Sequence, residues 1–141
     1  MRGGVGTKVT NIMKQLKQKN SVTITLLTLF ILCFGLTVLR WISIFYPSVC
    51  VITPTINSHI TNFTISVLLS VLVGYLLLLY GTRFGWVALW GGLLIAANLL
   101  YELCLPFLNT TDPIDALYGI AGVLVSLAYL YWMSKFGFEK E

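Results

Sequence analysis

The sequence predicts an all-α integral membrane protein, a bundle of four transmembrane helices with both termini in the cytoplasm. Three observations predict it: 57% of the 141 residues are hydrophobic, only 10% are charged, and long apolar stretches follow one another along the chain. A soluble domain carries about 25% charged residues. The composition therefore excludes a soluble enzyme, a disordered chain and a disulfide-rich secreted module.

The first segment, residues 1–21, is basic and precedes the first span. Apolar residues recur in it at helical spacing, at Val9, Ile12, Met13 and Leu16. This spacing predicts a short helix on the inner membrane surface, and a disordered basic tail is the alternative. The apolar stretch that follows is longer than a signal-peptide core and lacks a small-residue cleavage site, which indicates an uncleaved signal anchor.

A transmembrane domain is predicted over residues 22–134, with a cytoplasmic tail at 135–141. Each predicted span approaches or exceeds the ~20 helical residues that a bilayer requires. Helices are expected because every backbone polar group in hydrocarbon needs an internal partner, and prolines mark the connectors. The predicted spans are 22–45, 63–80, 86–108 and 114–133.

The basic residues predict the orientation. Eight of the nine lie on the side of the termini in a four-span topology, and only Arg40 lies elsewhere. Basic residues favour the cytoplasmic side, so we expect a multi-pass membrane protein with both termini in the cytoplasm. The basic segments next to the membrane indicate membrane lipids as partners and no nucleic acid.

Polar residues from all four spans are predicted to lie at a similar depth near the outer boundary. Charges inside a membrane are costly and usually face one another or a cavity, so Arg40 is expected to pair with Glu102. These residues are candidates for an outer ligand-binding layer, whereas His59 is interpreted as a solvated loop residue. The layer consists of Arg40, Asn62, Glu102, Asp112 and Asp115.

Small residues at helical spacing predict where the helices pack. Such residues let helix backbones approach closely in lipid. They are Ser66, Ser70, Gly74, Gly91, Gly92, Gly119 and Gly122. Cys50 and Cys104 are expected on the same outer side, which leaves a disulfide between them open.

Part of the chain resembles the VanZ-like membrane proteins. Residues 111–115, followed by Gly122, are similar to the entry of the last helix of that family, and Glu102 and Asp115 match its two acids. Residues 58–63 resemble the family's Asp-Lys-x-x-His-Phe entry to span two, with Asn62 in place of the His. The family's usual Gln and Arg between the acids are missing. The resemblance covers about half the chain and implies a bacterial cell-envelope protein, one branch of the family being linked to teicoplanin resistance.

The leading functional hypothesis is a VanZ-like protein that acts at the outer leaflet on a cell-envelope component or lipid-linked amphiphile. No nucleophile or metal-ligand set accompanies the acids, so the sequence predicts no metal and no cofactor and assigns no catalytic residue; catalysis by half-buried acids is left open. Two alternatives are an oligomeric permeation or transport unit and an accessory subunit that binds another membrane protein through its small-residue faces. A homo-oligomer is compatible with each.

The predicted orientation can be tested with reporter fusions. A reporter that is active only in the cytoplasm, fused after Glu141, should be active, and the same reporter inserted at residue 109 should be inactive. The opposite pattern would place the acidic layer on the cytoplasmic side.

Overall fold

The computed structural model describes residues 18–50, 52–104 and 112–139. Within them it contains four α-helices, each long and apolar enough to cross a membrane, which confirms the predicted all-α four-span fold. The segment predicted to form a surface helix lies outside the described residues. The helices are α1 (Asn20–Phe45), α2 (Pro54–Leu79), α3 (Phe84–Cys104) and α4 (Pro113–Phe136), and a short 3-10 turn at Pro47–Val49 follows α1.

Consecutive helices run in opposite directions. Near the start of the described chain, Gln18 bonds to Tyr75 late in α2, whereas Thr37 bonds to Thr64 at 2.8 Å further along α1. Residues 18 and 138 form an isolated antiparallel bridge, so both described ends of the chain lie at the same end of the bundle. We call this the terminal end, and we call the end that carries residues 45–50, 52–59, 102–104 and 112–115 the distal end.

α2 is the central helix of the bundle. It packs against α1, α3 and α4, and its interface with α4 is the most extensive in the described structure. In the most apolar 18-residue stretch of α2, 39% is buried inside the bundle, compared with 17% in the corresponding stretches of α1 and α3. α1 and α3 thus leave broad apolar faces for lipid.

The interface between α2 and α4 depends on the absence of a side chain at Gly122. A Cβ atom there would lie 2.5 Å from the backbone oxygen of Phe63 and 3.2 Å from Cβ of Ser66. Most of the predicted packing residues are buried in the bundle, namely Ser66, Ser70, Gly74, Gly91, Gly119 and Gly122. Gly92 requires a correction: it lies on an exposed face of α3, and a Cβ atom at this position would have no neighbour within 4 Å.

α2 begins nine residues earlier than hydropathy predicts, at Pro54 rather than Phe63. Proline suits the first position of a helix because its missing N–H has no intrahelical partner there and its φ is already helical. His59 is therefore a helical residue packed inside the bundle, and its interpretation as a solvated loop residue is corrected. Asn62 lies two turns inside α2 and does not cap it.

Alanine at Gly122 should separate α2 from α4, whereas alanine at Gly92 should not. We expect Gly122→Ala to lower the free energy of unfolding by about 1–3 kcal/mol because of overpacking. Gly92→Ala is the matched control and should be neutral or stabilising by up to about 1 kcal/mol through helix propensity. Unfolding in mixed detergent micelles, followed by circular dichroism, measures both. Equal stability of the two variants would contradict the close approach at Gly122.

Candidate functional site

Three polar side chains meet at the distal end, where α2 and α4 run side by side. His59 of α2 has its Nδ1 atom 2.7 Å from Oδ1 of Asp115 and 3.8 Å from Oδ2 of Asp112, both at the entry of α4. The side chains of His59 and Asp115 are 11% and 22% exposed, respectively. The group is thus half-buried and open to one side, and we call these three residues the distal cluster.

The start of α4 positions the two carboxylates. Asp112 is the N-cap residue, and its Oδ1 accepts a hydrogen bond of 2.9 Å from the backbone N–H of Ile114. Pro113 occupies the first helical position and Asp115 lies in the first turn. A capping carboxylate and an acid in the first turn both stabilise a helix, because they satisfy free N–H groups and face the positive end of the helix dipole. Local helix chemistry therefore places both acids beside α2.

Asp115 and Tyr118 hold the His59 ring. An ionised carboxylate only accepts hydrogen bonds, so Nδ1–H of His59 donates to Asp115. The ring packs at 35° against that of Tyr118, with centroids 5.4 Å apart. A carboxylate that holds one imidazole nitrogen fixes the tautomer and directs the other nitrogen. Within the described residues, Nε2 of the same ring makes no hydrogen bond to another side chain or to the backbone.

A second polar layer lies one helical turn deeper. Asn98 of α3 donates to Oγ of Ser66 at 3.2 Å and to the carbonyl of Leu94 at 3.0 Å. Its amide also contacts Gly119, where a Cβ atom would overlap it. Glu102 follows Asn98 by one turn, so it lies about 6 Å nearer the distal end, and it is only 4% exposed. An acid on α3 is thus buried towards the distal end.

The distal cluster offers the donor set of a metal site. One nitrogen of His59 and one oxygen from each of Asp112 and Asp115 lie within 4.8 Å of one another. Imidazole and carboxylate together suit Zn²⁺ and related divalent ions. The same geometry also suits a simple ion pair between His59 and the two acids. The structure therefore establishes that one imidazole and two carboxylates converge, and this holds for either use.

Arg40 lies apart from the acids. Within the described residues no ion pair joins it to Glu102, Asp112 or Asp115, which corrects the predicted Arg40–Glu102 pair. Arg40 instead lines a cavity of about 210 Å³ between the distal ends of α1 and α2. Asn62, another predicted member of the layer, is half-buried in α2.

The three cysteines are free thiols. Cys50 donates a weak hydrogen bond to the carbonyl of Ile52, Cys104 is exposed and Cys33 is buried in α1. The structure therefore contains no bond between Cys50 and Cys104, both of which are described.

Comparison of the chain with family models, with curated proteins and with solved structures finds no match in any of the three. The VanZ-like resemblance therefore stays a prediction that depends on the short motifs alone.

His59 is the site residue that the sequence reasoning missed. The structure brings Asp112 and Asp115 together with it, and these two acids were candidates. The available signal was Pro54, which suits a helix start as well as a helix end. With α2 starting there, His59 falls one turn before Phe63, next to the start of α4.

A double-mutant cycle tests the contact between His59 and Asp115. His59→Ala and Asp115→Ala should each lower stability, and the coupling free energy should be about 0.5–3 kcal/mol, as for residues in direct contact. The pair of His59 and Asp112 is the matched control and should couple less, because its atoms are 3.8 Å apart. Unfolding in detergent measures the four variants of each cycle. Strict additivity for His59 and Asp115 would contradict the contact.

Proposed function

We propose that this protein acts at the outer leaflet of a bacterial plasma membrane, where the distal cluster binds the head group of a cell-envelope component or lipid-linked amphiphile. The proposal is supported by where the polar groups lie. α2 has 26 residues and is about 39 Å long at 1.5 Å per residue, which exceeds a hydrocarbon core of about 30 Å. His59, five residues from the start of α2, therefore lies near the boundary that head groups occupy.

The observation that carries the proposal is the hydrogen bond of 2.7 Å between His59 and Asp115 in a half-buried position. A purely structural bundle could join α2 to α4 with small residues alone, as it does around Gly122. A carboxylate that orients an imidazole is instead an arrangement that gives the second ring nitrogen a defined direction as a donor or acceptor. Polar groups at such a depth usually mark functional sites in membrane proteins.

The charge of the cluster indicates which groups it recognises. Asp112 and Asp115 contribute two carboxylates against one imidazole. Carboxylates only accept hydrogen bonds, so the cluster selects amino and hydroxyl groups, which donate. The head groups of envelope glycolipids and lipid-linked peptides are rich in both.

The resemblance to VanZ-like proteins supports the same location. In that interpretation Glu102 and Asp115 are the main polar contacts of the head group, and Asp112 lies at the rim of the site. His59 then orients Asp115 and contributes Nε2. The phenotype that the resemblance suggests is protection against glycopeptides such as teicoplanin or against envelope stress.

Substitutions that remove the carboxylate of Asp115 or the imidazole of His59 test the function. Asp115→Asn and His59→Gln should each abolish the protection, because a charge-assisted hydrogen bond is worth about 1.5–3 kcal/mol, which weakens binding by roughly 10- to 150-fold. The measurement is growth of a strain that expresses each variant under glycopeptide or envelope stress, with membrane abundance determined in parallel.

Glu139→Gln is the matched control, since it removes an acid at the terminal end and should leave protection unchanged. If Asp115→Asn and His59→Gln reach normal abundance and still protect, the distal cluster does not carry the function. Cation flux in liposomes, or a stoichiometric partner in mild detergent, would then favour permeation or an accessory role.

A further inference from the structure

A cavity at the distal end, on the other side of α2 from the distal cluster, is lined by Arg40. It has a volume of about 210 Å³ and lies between the last turns of α1 and the first turns of α2. Pockets for drug-sized ligands measure about 300–1,000 Å³, and a water molecule takes about 30 Å³. This cavity therefore suits one compact group, with the remainder of a larger molecule outside.

The walls of the cavity are positive. Arg40 is the only charged residue among the described residues that line it. Its guanidinium forms no hydrogen bond or ion pair with another described residue. Arginine remains protonated in proteins. Arg40 as a residue is half-buried, and a guanidinium that no carboxylate neutralises is costly near a membrane, so an external anion would stabilise it.

The neighbouring polar groups are fixed. Asn57 donates to Oγ of Ser43 at 2.8 Å, and Ser43 in turn donates to the carbonyl of Arg40 at 2.7 Å. Asn57 and Ser43 are only 9% and 8% exposed. This chain of hydrogen bonds joins the backbone of Arg40 to α2, and one N–H of the Asn57 amide remains for a ligand because the group has two.

The first turn of α2 adds a weaker contribution of the same sign. Pro54 and Ser58 line the cavity, so this turn forms part of its wall. The start of a helix carries the positive end of the helix dipole. The guanidinium supplies the main attraction and the helix start adds to it.

We infer that the Arg40 cavity binds a phosphate group. The planar fork of a guanidinium forms two parallel hydrogen bonds to two oxygens of a phosphate, and one phosphate matches the size of the cavity. Two sources share this chemistry, a phospholipid head group at the membrane boundary and free phosphate. The inference rests on the cavity alone, so it stands or fails separately from the function proposed for the distal cluster.

The first experiment uses the unmodified full-length protein in detergent. Cys50 lines the cavity and is half-buried, whereas Cys104 is exposed and does not line it. Phosphatidic acid at ten times its Kd should slow maleimide alkylation of Cys50 by about tenfold without slowing that of Cys104. Diacylglycerol with the same acyl chains should not slow either. If phosphatidic acid and inorganic phosphate both leave the alkylation of Cys50 unchanged, the inference is overturned.

Inorganic phosphate distinguishes the two sources. Protection of Cys50 by inorganic phosphate alone assigns free phosphate as a ligand of the cavity. Protection by phosphatidic acid but not by inorganic phosphate assigns the phospholipid head group. Both results support the phosphate chemistry.

Substitutions of Arg40 test the residue itself. Arg40→Gln should weaken the tightest binding of whichever ligand protects Cys50 by about tenfold or more, measured by native mass spectrometry for phosphatidic acid and by protection of Cys50 for inorganic phosphate. Arg40→Lys keeps the charge but loses the fork, so its binding should be intermediate. Arg83→Gln is the matched control at the terminal end, where Arg83 is exposed, and should change the tightest binding by less than about twofold. Equal effects of Arg40→Gln and Arg83→Gln would overturn the inference.

Discussion

The close contact between α2 and α4 determines where the distal polar groups lie. The two helices run parallel, and the backbone of α2 at Phe63 approaches α4 at Gly122 so closely that no side chain fits between them. Lipid chains are as apolar as the helix surfaces, so the hydrophobic effect does not drive this association, and packing must supply the free energy. Once the contact is made, the first turn of α4 lies beside the second turn of α2, and His59 meets Asp115.

Hydrogen bonds between helices then fix the register at several depths. Thr37 and Thr64 join α1 to α2, whereas Ser66 and Asn98 join α2 to α3. A polar group that lost its hydrogen-bond partner in hydrocarbon would raise the free energy of the bundle. These hydrogen bonds therefore oppose the sliding of one helix along another. The bundle therefore holds the distal cluster on a framework with small-residue contacts below it and polar contacts beside it.

Hydropathy alone could predict the number of spans and the bundle, because a span must be long and apolar. It could not predict the start of α2, since the residues from Pro54 to Asn62 are mostly polar and the helix is stabilised there by packing of its polar face. The depth of Arg40, Glu102 and Asp115 also follows from the sequence, because depth depends only on position along a helix. The direction in which each side chain points around its helix axis depends on how the helices pack against one another. The spacing of residues along a single helix does not give this information.

The direction of side chains around α2 explains why Arg40 lies apart from the acids of the distal cluster. Asn57 and His59 are two positions apart, so they differ by about 200° around the axis and point to nearly opposite sides. Asn57 faces Ser43 of α1, next to Arg40, and His59 faces α4. One helix thus separates a basic cavity from an acidic cluster at the same end of the bundle. If Arg40 reached the acids, it would neutralise one of them, and the cavity would lose its only charge. Because Arg40 and the acids are kept apart, the cavity keeps its positive charge and the distal cluster keeps its negative charge. The nearby membrane boundary lowers the free-energy cost of each charge.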